Sequence, residues 1–231
     1  EFVHELRTPL SSLSTATYLL LRPEMSQEQR DQIINNIHNE TIRLNALASS
    51  FLDLARLESG RVQFRKTIFS IADLIYECKD VMATKATEDN IQIRVESPER
   101  LPLLEADRDK VKQVLLNLLS NAIKYNRPNG SVMMRAEETE KEIAFYIQDT
   151  GLGIPEESLP HLFEKFFRVR EHEARVAGTG LGLSICKQII QGHGGRIEVK
   201  SKVGVGTVFV VFLPHGKRNE DAPENKHGRK K

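Results

Sequence analysis

Tryptophan is absent from the 231 residues, cysteine occurs only at Cys78 and Cys186, and glycine is missing until Gly60. The two cysteines stand far apart, outside any metal-binding or redox spacing, which leaves no disulfide framework and suits a reducing compartment. No run of about 18 apolar residues occurs, so nothing here reads as a membrane-spanning helix. The first residues also lack the pattern of a secretory signal. Net charge is almost absent: 33 Lys and Arg balance 32 Asp and Glu, leaving +1. Bulk composition thus gives no reason to expect nucleic acid or an anionic membrane as a partner. Cytoplasm is the expected location. The start on EFVHELR, without methionine and in mid-helix, reads as a piece of something longer.

Two patterns meet near Gly60. Residues 1–60 read as two helices joined at LRPEMSQ, a helical hairpin. Leu6, Leu10, Leu13, Thr17 and Leu20 fall on one stripe of the first helix, and Ile34, Ile37, Leu44, Leu47, Ala48, Phe51 and Leu54 repeat the device on the second. A lone hairpin cannot shield such stripes, which predicts pairing with a second copy into a four-helix bundle, a homodimer. Residues 61–215 alternate between strands (FRKTIF, NIQIRVE, SVMMRAEE, EIAFYIQD, GRIEVKS, GTVFVVFLP) and helices (SIADLIYECKDVMATKA, DRDKVKQVLLNLLSNAIKYN, GLSICKQIIQGHG). That pattern predicts helices covering one face of a mixed sheet, an α/β sandwich, and hence an α+β two-domain chain. VREHEARVAGT is charged and aperiodic, as in a mobile loop. Residues 216–231 are polar and lack large apolar side chains, as in a disordered tail.

Two constellations carry chemistry. In the first helix, stepping about 100° per residue from Leu6 sets His4 near 160°, almost opposite the leucine stripe and toward solvent. Thr8 lies one turn further on that face and Glu5 is adjacent. Pro9 removes a hydrogen bond to the Glu5 carbonyl, a defect costing about 3 kcal/mol beside the histidine. An accessible imidazole next to a carboxylate suits a nucleophile, because the carboxylate can take the Nδ1 proton and leave Nε2 to attack. A zinc-protease reading fails, since Thr8 stands where the second histidine would be.

The second constellation runs through the later region. In VKQVLLNLLSNAIKYN, Gln113, Asn117, Asn121 and Lys124 share one helix face, opposite Val111, Leu115, Leu118, Leu119 and Ala122. Asparagine carbonyls suit Mg²⁺ that is otherwise held by phosphates and water, and Lys124 adds positive charge beside those phosphates. EIAFYIQDTGLGIP ends a strand in Asp149, with Gly151 and Gly153 following; a carboxylate fixed there can accept from an adenine amino group. AGTGLGLSICKQII sets Gly178, Gly180 and Gly182 at a helix start, where free backbone amides bind anions. GTGLGL matches neither a dinucleotide fingerprint nor a P-loop, and the HRD and DFG elements of protein kinases are missing.

FVHELRTPLSSL closely resembles the phosphoacceptor segment of sensor histidine kinases. NLLSNAIKYN, DTGLGIP, FEKFFR, GTGLGL and GVGTVF resemble, in order, the N, G1, F, G2 and G3 boxes of the ATP-binding domain shared by those kinases, gyrase and mismatch-repair ATPases, the HATPase-type or Bergerat fold. The resemblance implies that His4 receives the γ-phosphoryl group of ATP, with Glu5 as base and Thr8 positioning water in a phosphatase reaction. It implies Mg²⁺ at Asn117 or Asn121, phosphate contacts from Lys124, Lys165 or Arg168, adenine at Asp149 and Tyr125 flanking the base. The glycine boxes add Gly151, Gly153, Gly178, Thr179, Gly180, Leu181, Gly182 and Thr207 to the nucleotide site, under a lid between Phe167 and Gly180. Gyrase-type relatives carry a glutamate where Asn117 stands, and an amide is no general base at neutral pH. Slow hydrolysis would leave the phosphoryl group for His4, then for an aspartate on the receiver domain of a response regulator. Membrane attachment, in such a protein, would lie ahead of residue 1, at the inner membrane. Two other classes fit the same residues: an ATPase or clamp that the hairpin merely dimerises, and a non-catalytic scaffold that binds a regulator.

Overall fold

The computed structural model describes residues 2–22, 25–60, 62–96, 101–169 and 178–215, with the side chains of His4 and Glu5 outside the description. The solvent-facing His4 ring, most of the expected mobile loop and the expected disordered tail therefore lie outside the described residues.

Helix α1 (Phe2–Leu20) runs unbroken through Pro9, and α2 (Gln27–Glu58) returns beside it. The turn ends in a capping box, where the Ser26 hydroxyl accepts from the Gln29 N–H at 3.2 Å and Gln29 Oε1 accepts from the Ser26 N–H at 3.1 Å. Each satisfies an amide the first helical turn would leave open. Ser26→Ala should therefore lower stability by about 1 kcal/mol, read as a shift in the urea midpoint. Within the hairpin, Leu6, Leu13, Ile37 and Leu44 are half-buried, whereas Leu10 and Ile34 stay 53% and 52% exposed. Leu47 and Leu54 are buried among residues of the later region.

That region opens with β1 (Thr67–Ser70) and α3 (Ile71–Glu88), capped by Ser70. It continues through β2 (Gln92–Glu96), β3 (Leu103–Ala106), α4 (Arg108–Lys124), β4 (Ser131–Glu138) and β5 (Glu142–Asp149). A 3-10 turn (Glu156–His161) precedes α5 (Gly182–Gly192), β6 (Arg196–Lys202) and β7 (Gly206–Pro214). Five strands form one sheet in the order β2-β4-β5-β7-β6, parallel only between β2 and β4. The other two, β1 and β3, pair antiparallel in a separate ribbon.

Alternation explains the layers. Ile143, Phe145 and Ile147 of β5, like Phe209, Val211 and Leu213 of β7, point into a core completed by the apolar faces of α3, α4 and α5. On the opposite face Arg135 lies over the Tyr146 ring (4.3 Å to the centroid) and Arg196 over Phe212 (3.7 Å), so the sheet shields its own aromatic rings there.

The strands expected at SVMMRAEE, EIAFYIQD and GTVFVVFLP form over those residues, while FRKTIF forms one only from Thr67. β3 and the 3-10 turn were not expected. Between α2 and β1 the chain is strapped down: Asp107 Oδ2 accepts from the Arg65 N–H at 2.9 Å, and the Phe64 ring packs 4.3 Å from His193. His193 Nε2 accepts from the Asp107 N–H at 3.0 Å, tying the end of α5 to the start of α4, and burial lowers its pKa.

Candidate nucleotide site

A half-open cavity of about 350 Å³ lies between the polar face of α4, the end of β5, the start of α5 and one flank of α2. Each wall has a local reason. Helix α4 starts on Asp107, whose Oδ1 accepts from the Lys110 N–H at 3.1 Å, and it buries Val111, Val114, Leu115, Leu118 and Leu119. Asn117, Ser120, Asn121 and Lys124 are thereby turned toward the cavity. Gln113 shares their sequence stripe but points to α2, its Nε2 3.4 Å from Asp53.

Asp149 ends β5 and is 7% exposed. One oxygen, Oδ1, accepts from the Gly151 N–H at 2.8 Å and the Thr207 N–H at 3.1 Å. The side chain lines the cavity, and Oδ2 remains its second acceptor there. Burial pushes its pKa up to about 6, and the two backbone donors only partly oppose that. Thr207, buried beside it, shares a 2.8 Å hydrogen bond with Ser201, which also accepts from the Ile154 N–H. Gly151 is wedged between the Tyr125 carbonyl and the Asp149 carboxylate, where a Cβ would lie 2.3 Å from the former.

The charged lining is otherwise cationic, from Lys124 and Arg168. Burial, then the nearby Arg168, holds the Lys124 ammonium below its usual pKa, so an anionic ligand would relieve both. Burial raises the Tyr125 hydroxyl, and the Lys124 ammonium sits 5.5 Å from that ring's centroid. Opposite, α5 begins at Leu181 without a side-chain cap, a helix start of the kind that receives anions. Gly182 abuts α4 so closely that a Cβ would lie 2.7 Å from the Asn117 amide.

The cavity thus gathers Asn117, Asn121, Lys124, Tyr125, Asp149, Gly153, Arg168, Gly178, Thr179, Gly180, Gly182 and Thr207 from the sequence reading. Gly151 lies just behind the wall, and Leu181 sends its side chain into the core. Lys165 is elsewhere: its ammonium pairs with Glu58 of α2 at 2.7 Å. Thr8 is exposed on α1, and the backbone of His4 and Glu5 lies in the same helix. Ala46, Ser50 and Ser120 line the cavity without having been expected, because small residues carry no chemical signature in a helical stripe. No cluster of three metal-binding His, Cys, Asp or Glu occurs among the described residues. The amide oxygens of Asn117 and Asn121 nevertheless suit a hard divalent ion that takes its remaining ligands from phosphates and water.

A mixed sheet layered with helices and holding a carboxylate-ended, glycine-walled, cation-lined cavity defines a nucleotide-binding α/β sandwich, here preceded by a helical hairpin. Comparison with known proteins makes the class specific. Residues 2–60 match the His Kinase A (phospho-acceptor) domain, and residues 106–217 match the family described as histidine kinase-, DNA gyrase B- and HSP90-like ATPase. The circadian input-output histidine kinase CikA of Synechococcus elongatus is 36% identical over 217 residues, 91% of this chain and 29% of its own length. ShkA, solved full-length in complex with AMPPNP, is 29% identical with a TM-score of 0.71 over 92% of this chain and 44% of that one. Histidine kinase ThkA, solved in complex with the response regulator protein TrrA, is 29% identical with a TM-score of 0.76 over 93% of this chain and 60% of that one. The chain belongs to the sensor histidine kinases, whose phosphoacceptor and ATP-binding segments it carries in order. It spans about a third of the length of the curated relatives it matches, 29% and 36% for CikA and the staphylococcal sensor protein SrrB. Among the described residues no helix is long and apolar enough to cross a membrane.

Proposed function

We propose that this chain transfers the γ-phosphoryl group of ATP to His4 and from there to an aspartate on a response-regulator receiver domain. The observation that carries the reading is a cavity lined both by the buried carboxylate of Asp149 and by the cations Lys124 and Arg168, in a chain whose α1 bears His4. Oδ2 of Asp149 accepts from the adenine amino group while Oδ1 stays committed to its two backbone donors. Lys124, Arg168 and the start of α5 balance the phosphate charge, and the amide oxygens of Asn117 and Asn121 would hold Mg²⁺, which when bound would supply further neutralisation of that charge. Glu5 takes the Nδ1 proton of His4, and the Nε2 lone pair forms the new N–P bond as the bridging P–O bond breaks and ADP leaves with its electron pair. Thr8 orients water when the phosphorylated regulator is dephosphorylated.

Asn117 supports transfer over hydrolysis, because an amide at that position cannot activate water. Exposed Val3, Leu10, Tyr18, Ile34, Ile42 and Leu52 on α1 and α2 supply apolar surface for pairing two copies into a four-helix bundle. This reading puts the core in the cytoplasm, where ATP and receivers are held, with any membrane attachment made by residues outside the chain. The test is phosphorelay with γ-labelled ATP and Mg²⁺. Label should appear first on the protein in an acid-labile, alkali-stable form and then pass to an added receiver domain. Steady release of inorganic phosphate with no labelled protein would replace the reading with an ATPase.

A further inference from the structure

Phe166 sits in the left-handed region at φ 63°. A bulky side chain adopts that conformation only where its surroundings impose it, and such strain gathers at functional sites. The imposing neighbour is Gly180, itself at φ +68°. The Phe166 N–H donates to the Gly180 carbonyl at 3.0 Å. A Cβ on Gly180 would lie 2.6–2.8 Å from the Phe166 backbone, so no other residue allows this approach.

Gly180 lines the nucleotide cavity, and the Phe166 ring faces away from it toward the hairpin, 6.4 Å between centroids from Phe2. Phe2 stacks on Phe51 of α2 at 3.7 Å with the rings 10° from parallel. It stands in α1, two residues before His4. An unbroken line of contacts therefore leads from the glycine segment bordering the phosphates to the helix that carries the phosphoacceptor. The phosphotransfer chemistry itself needs no aromatic ring at position 2, 51 or 166.

We infer that Phe166 is a positioning residue. Its backbone responds to how the Gly178–Gly182 segment is held on a nucleotide, and its ring sets the Phe2–Phe51 stack and with it the α1 backbone at His4. This rests on the phosphotransfer reading, and the two can fail separately. Because the protein lacks tryptophan, Phe2→Trp supplies a single emission reporter at the stack. Its emission should shift when ADP or a non-hydrolysable ATP analogue binds with Mg²⁺. Phe166→Asn, which tolerates the left-handed conformation but removes the ring, should abolish the shift while leaving nucleotide affinity within about twofold.

In phosphorylation kinetics, Phe2→Ala should slow labelling at saturating ATP about tenfold with KM for ATP nearly unchanged, the scale of one lost aromatic stack. Phe2→Tyr should restore the rate. Combining Phe2→Ala with Phe166→Asn should slow it no further than either alone, since both break one line of contacts. A tryptophan signal silent to nucleotide, one that survives Phe166→Asn, or a double variant slowed about 100-fold by independent effects would overturn the inference. If the wild type forms no phosphohistidine, the kinase reading falls, and the emission experiment still decides the role of Phe166.

Discussion

Changing His4 to glutamine should eliminate labelling by ATP, a loss of at least about 1,000-fold, or roughly 4 kcal/mol in the barrier. Glutamine can hydrogen-bond but has no nucleophilic nitrogen lone pair, its amide nitrogen being conjugated with the carbonyl. It is a good helix former, so α1 should persist. Nucleotide affinity and thermal melting should both match the wild type, because the cavity is built from α4, β5, α5 and α2 rather than from residue 4. The measurement is retention of acid-labile, alkali-stable label under denaturing conditions, with a fluorescent ATP analogue as the binding control. Undiminished label in His4→Gln would remove the phosphoacceptor assignment, whatever else the protein does.

The second large effect concerns Asp149→Asn. The amide oxygen would inherit the hydrogen bonds from Gly151 and Thr207 that now fix Oδ1. Its NH₂ would then face the cavity where Oδ2 now stands, setting donor against the donor of an adenine amino group. Nucleotide affinity at pH 8 should fall by about 100-fold or more. An inosine nucleotide, with a carbonyl in place of that amino group, should lose far less.

The wild type should show the same dependence through protonation. With the Asp149 pKa up at about 6, ATP affinity should decline as pH falls through that value, because the acceptor is lost. The effect on folding has the opposite sense. A carboxyl raised from 3.8 to about 6 in the folded state favours folding below pH 4 and loses that contribution as pH rises through 6. Nucleotide-free Asp149→Asn should therefore be more stable than wild type at pH 8, on the order of 2 kcal/mol, and show no gain at pH 4. A variant that lost both affinity and stability at pH 8 would contradict the geometry drawn for Oδ1.

Much of the fold was legible because burial imposes a period. β5 and β7 are rich in β-branched and aromatic residues and buried over most of their eight and nine positions, and α4 keeps an apolar stripe over 17, so each shows its element type without a partner. β3 did not show itself: LLEA is four residues long and stabilised by pairing with β1, a contact the local pattern does not encode. The cavity was legible wherever its chemistry needs a distinctive residue, such as Asp149 at a strand end or glycines at a helix start. It was not legible where function depends on a distant neighbour. That Thr207 shares one oxygen of Asp149 with Gly151 follows from strand pairing across 58 positions. Lys165 looked like a phosphate ligand from its place in FEKFFR, but its ammonium meets Glu58, 107 positions away.

Ala46 and Ser50 bring the hairpin to the edge of the nucleotide cavity. An inhibitor that merely imitates adenosine would meet surfaces common to every protein with this sandwich, gyrase-like enzymes included. One extended from the Asp149 end to touch the α2 flank would read residues that only a hairpin-bearing member presents, and selectivity could be built on that wall.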